Sequence, residues 1–244
     1  MPPSTQQKLA IDQELLNAVR LIQAGFGQLQ NLDGANDFYH LSLLTLASGF
    51  ERFMKVILCF RILEKTGEFP SPGDLPSGRK GHDLEFLLKK IREECFLERY
   101  VDQIPVSKED LKYLEAEELL SFLDVLSKFG QAARYHHLDV VLGKEPETDA
   151  PDAEWEKLET AIVTARPDLM KEMEKFPASD RIHKEIAVEV IARLERLARA
   201  LARLFTIGGI GQEAKRYLGY ISTFLYLPDE SLGKNKYSPV GSSV

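Results

Sequence analysis

Two short polar runs hold the residue types from which chemistry could be built. Gly81-His82-Asp83-Leu84-Glu85 sits between two amphipathic segments, and Arg134-Tyr135-His136-His137-Leu138-Asp139 follows the glycine at position 130. In the second run a guanidinium fork, an aromatic face and two titratable rings fall within two helical turns, a combination suited to a nucleotide or an RNA backbone. The same run also fits a structural arrangement in which Tyr135 and Leu138 pack inward while Arg134 pairs with Glu51 or Asp139. In the first run Asp83 can accept the backbone N–H bonds of a starting helix. Donors left over beside His82 can hold an anion, but plain capping is the simpler account of the residues. Glu51 and Lys55 form an i,i+4 pair that interrupts an otherwise apolar helix. An internal polar group needs partners to offset desolvation, so Arg134, Tyr135 and His136 are expected to meet Glu51 and Lys55 at one rim, with His82, His137 and Asp139 as further candidates.

Other chemistries lack their signatures. There is no phosphate-binding G-x-x-x-x-G-K-[ST], no G-x-G-x-x-G, no H-E-x-x-H and no G-x-S-x-G, so no cofactor and no catalytic residue is assigned. Gly208-Gly209-Ile210-Gly211 follows a helical pattern and reads as a helix stop. Cys59 and Cys95 lie in apolar helical contexts without a C-x-x-C or a histidine-rich tract, which predicts reduced, inert thiols and no metal site. Arg193, Arg196, Arg199 and Arg203 make a stripe spaced three, three and four. Facing an acidic segment such as 145–156 the stripe is structural; lining an open cleft it can bind phosphates.

The elements that must position these groups are helices. Apolar residues from Leu9 to Leu29 recur mostly at threes and fours. Asp37 can cap a second helix running to Thr66-Gly67, and a Pro/Gly-rich connector occupies 68–80. Helix resumes near His82 or Asp83, and a start signal at Ser107 to Asp110 opens another that continues to Gly130. Shorter helices are expected around Trp155 and from Pro167, and a last strong helix from Ser179 or Asp180 carries a near-heptad seam from Ile186 to Leu204. No segment alternates apolar and polar residues between turn signals, so the predicted class is all-α: an up-and-down bundle of four principal helices with additional short ones.

At 244 residues and 44% hydrophobic content, the chain can build one sizeable core. One domain is expected over 1–227, with 143–179 as an insertion and 228–244 as a disordered tail. A net charge of -7 argues against broad non-specific nucleic-acid binding. The polar start carries no signal-peptide pattern and no apolar run reaches the ~20 residues of a membrane span, so a cytoplasmic protein is expected.

The order of a long helix bearing Ala47-Ser48-Gly49-Phe50-Glu51-Arg52-Phe53-Met54-Lys55, the connector, Gly81 to Leu88, and Ala133 to Asp139 resembles the HEPN superfamily, most nearly its nucleotidyltransferase-associated type. The likeness spans Asp37 to about Leu142, with Ile186 to Phe205 as the closing helix. It implies a four-helix bundle, homodimerisation, and roles in toxin–antitoxin, phage-defence or RNA-processing systems, with a nucleotidyltransferase or antitoxin as partner. Many members are metal-independent ribonucleases carrying Arg, four to six residues, then His at a dimer cleft. Here none of His40, His82, His136, His137 and His183 has an arginine five to seven positions upstream. The resemblance therefore implies a non-catalytic module that binds a nucleotide, an RNA or a protein. A ribonuclease with altered Arg/His spacing and a purely structural interaction protein are the alternatives.

Overall fold

The structure is a computed structural model and describes residues 3–33, 35–36, 39–131, 136–145, 150–173, 180–207 and 209–238, the side chains of Pro151 and Asp152 excepted. It is all-α, with no strand among the described residues. The first helix, α1 (Thr5–Gln30), begins at a reciprocal cap: Gln7 N donates to Ser4 Oγ at 3.2 Å and Ser4 N donates to Gln7 Oε1 at 2.9 Å. It packs antiparallel against α2 (Tyr39–Thr66) at very close range. A Cβ on Gly49 would lie 2.9 Å from the Ile22 backbone nitrogen, and one on Gly25 would lie 2.5 Å from Leu46 Cγ. Two glycines facing each other's helix thus set the interaxial distance.

The connector after α2 holds a four-residue turn of helix, α3 (Gly78–Gly81), and returns the chain to the start of α4 (Leu84–Cys95). His82 then meets Glu51, and Glu94 meets Lys65, so α4 runs parallel to α2. After α5 (Glu98–Val101), the region expected as one helix to Gly130 is two, α6 (Pro105–Leu114) and α7 (Glu117–Gln131), broken at 115–116. The start lies at Pro105, which supplies a fixed φ at the first helical position. Next come α8 (His136–Val141), α9 (Pro151–Thr164), α10 (Pro167–Met173), the 28-residue α11 (Asp180–Ile207) and α12 (Leu218–Leu225). The segment read as an insertion joins the common core, since Trp155, Ile162, Val163 and Leu169 are all buried.

One aromatic spine ties α2, α11 and the 3-10 turn Glu213–Tyr217 together. Phe205 stacks on Phe53 at 6.1 Å and meets Phe60 edge-on at 5.7 Å, and Tyr217 covers Phe60 at 4.9 Å. The three phenylalanines are among the largest fully buried side chains, and burying such rings removes apolar area from water. Among the described residues no helix is long and apolar enough to cross a membrane.

The expectation of a disordered tail is corrected for 228–238. Asp229–Ser231 forms a 3-10 turn, and the chain then straps across α1 and α11: Gln30 Nε2 donates to Asn235 O at 2.6 Å, Tyr237 N donates to Gln30 Oε1 at 2.9 Å, and the Tyr237 ring meets Phe26 at 5.0 Å. Its anchor is Glu195, a fully buried carboxylate that accepts from Gly233 N, Asn235 Nδ2 and the Tyr237 hydroxyl. Composition misled because the strap is fastened by polar groups and one ring rather than by an apolar run. Positions 239–244 lie outside the described residues.

Candidate functional site

The sequence candidates fall at two stations along α2. At the first, Glu51 joins both neighbours: Lys55 Nζ donates to Oε1 at 2.7 Å, and His82 Nδ1 stands 2.9 Å from Oε2. Glu51 and Lys55 are mostly covered, whereas the His82 side chain is 50% exposed. Gly81 lets the connector close over this pair, because a Cβ there would lie 2.7 Å from Pro76 O and 3.5 Å from Lys55 Nζ. With Nδ1 turned to the carboxylate, a neutral His82 keeps its proton there and presents Nε2 outward as an acceptor. Beside it, three of the donors that could have held an anion are used. Phe86 N donates to Asp83 Oδ1 at 2.9 Å, Leu84 N to Ser127 Oγ at 2.9 Å and Leu87 N to Asp83 O at 3.0 Å. Capping is what these residues do.

The second station is the rim where α2 starts and α7 ends. Helical rise puts it on the order of 16 Å from Glu51. The His40 ring meets Phe129 edge-on at 5.4 Å, Tyr39 stacks on Trp155 at 5.4 Å, and His136 and His137 stand edge-to-face at 5.2 Å on α8. Burial, and after it the charge of His137, holds His40 below its ordinary value. Asp139 accepts from Lys144 Nζ at 3.2 Å. Arg134 and Tyr135, the two remaining candidates, lie outside the described residues, as does the expected approach of Arg134 to Glu51. His40, Tyr39 and Trp155 were not singled out from sequence, since they come from three segments brought together by packing and no local spacing announces them.

The arginine stripe is consumed. Arg203 Nη1 donates to Asp110 Oδ1 at 2.7 Å, Arg199 Nη1 to Leu227 O at 2.7 Å and Nη2 to Asp229. Arg193 pairs with Glu189 at 3.1 Å and Arg196 lies 4.2 Å over the Tyr113 ring. Its partners are Asp110, Asp229 and Glu189 rather than the 145–156 segment. Burial pushes the Asp110 carboxyl up and outweighs the pull of Arg203. Both thiols are free, and burial pushes Cys59 and Cys95 up to about 12, which leaves them unreactive. Among the described residues no group of three His, Cys, Asp or Glu side chains is arranged to hold a metal ion.

Comparison of the chain with family models, curated proteins and solved structures finds no match.

Proposed function

We propose that this chain is a non-catalytic, HEPN-like interaction module that forms a homodimer and engages a protein partner through the α8 rim. One observation carries the reading: no residue of α8 is buried, and Leu138, Val140, Val141 and the following Leu142 are 53%, 52%, 80% and 59% exposed. Four large aliphatic side chains within five positions make an apolar patch of the kind that marks protein interaction sites. A phosphate backbone would gain little from them, so a protein surface fits better than nucleic acid. Self-association through a two-fold axis is the simplest way to cover such a patch.

The test is sedimentation at micromolar concentration, wild type against a Val141→Asp/Leu142→Asp variant. The expected result is a dimer that the double variant converts to monomer with its helical content intact. A wild-type monomer that also captures no antitoxin or nucleotidyltransferase encoded beside it would end the reading.

A ribonuclease remains as a second reading because three imidazoles, His40, His136 and His137, share the rim, and a histidine can serve as general base. An RNA-cleavage assay without divalent metal decides it. Cleavage lost in both Arg134→Ala and His136→Ala would favour the enzyme.

A further inference from the structure

A groove of about 410 Å³ runs between α7 and α9. Its floor is apolar: Phe122, Val125 and Ile162 are each less than a tenth exposed, with Leu158 partly buried and Ala161 open to solvent beside them. Most charges along its walls are answered within the chain. Lys128 bridges Asp124 at 3.0 Å and Glu154 at 3.2 Å, Lys157 adds a second contact to Glu154 at 3.1 Å, and Arg193 pairs with Glu189. Glu117 and Glu118 differ, being exposed and without an ion pair among the described residues. No residue of α8 lines this groove.

We propose that the groove receives α8 of a second copy, so that each chain buries its exposed patch in the other. The inference rests on the α8 reading and names the surface that the patch meets. Leu138, Val141 and Leu142 fall at i, i+3 and i+4, and Leu142 N donates to Leu138 O at 3.0 Å, so the three project as one aliphatic stripe. A stripe with that spacing is what a groove between two helices accepts. Charge fits as well. His136 and His137 head α8, and an imidazole N–H donates to a carboxylate whether the ring is neutral or charged, which suits Glu117 and Glu118. The one carboxylate of α8, Asp139, is already turned to Lys144 at 3.2 Å, so docking brings no unanswered like charge. Position makes the exchange reciprocal. α8 stands at the rim by Phe129, and helical rise separates Phe129 from Phe122 in the groove by roughly 10 Å. Within one chain the stripe and the groove do not meet. A two-fold axis that sets α7 antiparallel to its copy carries each rim over the other's groove and forms the same contact twice.

Two measurements on the full chain test this. Val141→Cys and Ala161→Cys chains are oxidised separately and as a mixture, with Cys59 and Cys95 kept because burial leaves their thiols unreactive. A disulfide-linked dimer is expected from the mixture and none from either chain alone. In sedimentation, Ala161→Trp, which fills the groove from an exposed position, and Glu117→Lys/Glu118→Lys should each weaken the dimer about tenfold or more. Should Ala161→Trp lose helical content, Ser121→Arg on the opposite wall takes its place. No linkage in the mixture, linkage of Val141→Cys chains alone, or a dimer unmoved by the folded groove variants each overturns this inference. The α8 reading survives those outcomes if Val141→Asp/Leu142→Asp still abolishes the dimer. A wild-type monomer, or a dimer indifferent to that α8 variant, overturns this inference together with the α8 homodimer.

Discussion

Two faces of the molecule carry clustered charged or titratable groups, and they have opposite fates. On α11, Glu195, Arg199 and Arg203 are covered, and each ends on a named partner: the strap for Glu195, Leu227 and Asp229 for Arg199, and Asp110 for Arg203. At the α8 rim, His40, His136 and His137 lie together at an edge where the aliphatic side chains of α8 point into solvent. Spacing left the arginine stripe open to a structural or a phosphate-binding role, and its partners within the chain make it a fastener. What distinguishes the two faces is therefore exposure: the α11 groups are held under the strap and neighbouring helices, whereas the α8 side chains meet solvent.

The sharpest way to break this contrast is Glu195→Ala. It leaves the Gly233 N–H, the Asn235 amide and the Tyr237 hydroxyl without their acceptor, and the expected loss is about 3 kcal/mol or more in chemical denaturation. A loss below about 1 kcal/mol would mean that the strap does not depend on this carboxylate.

A second, smaller effect belongs to the rim and depends on pH. The folded value of His40 lies below its ordinary 6.5, so the unfolded chain takes up the proton first as pH falls. The contribution of His40 is complete above pH 6.5 and is lost as pH drops through the folded value. The denaturation midpoint should decline from pH 7 toward pH 5, and His40→Gln should flatten that slope. An unchanged slope would place the titration elsewhere.

The smallest expected change is His82→Ala. Its ring is half exposed, so losing its contact with Glu51 should cost within about 1 kcal/mol, screened further by added salt. A larger cost would make the Glu51 station part of the core rather than a surface clasp.

Legibility from sequence followed the range of the interactions. The seams of α1, α2, α4 and α11 were readable because apolar periodicity is local, and so was the Glu51–Lys55 pair, which is set by a single turn. Its link to His82 comes from the way the connector folds back, and the Pro/Gly composition told only that the helix stops there. The break between α6 and α7 was hidden because Leu111, Leu114, Leu119 and Phe122 keep a helical rhythm across 115–116 with no proline or glycine to mark it. The strap was missed because its value lies in a partner far back in the chain. The rim's His40 and Trp155 were missed for the same reason.

That separation has a consequence in time. Glu195 precedes Gly233, Asn235 and Tyr237 by 38, 40 and 42 positions. At a synthesis rate of roughly 5–20 residues per second, its donors arrive about 2 to 8 s after it does. Until then α11 carries a carboxylate that must stay hydrated, and the seam between α1 and α11 cannot close dry around it. Folding of this chain on the ribosome is thus held open at one defined point and sealed from its C-terminal side, a late zipper whose slider is a single tyrosine.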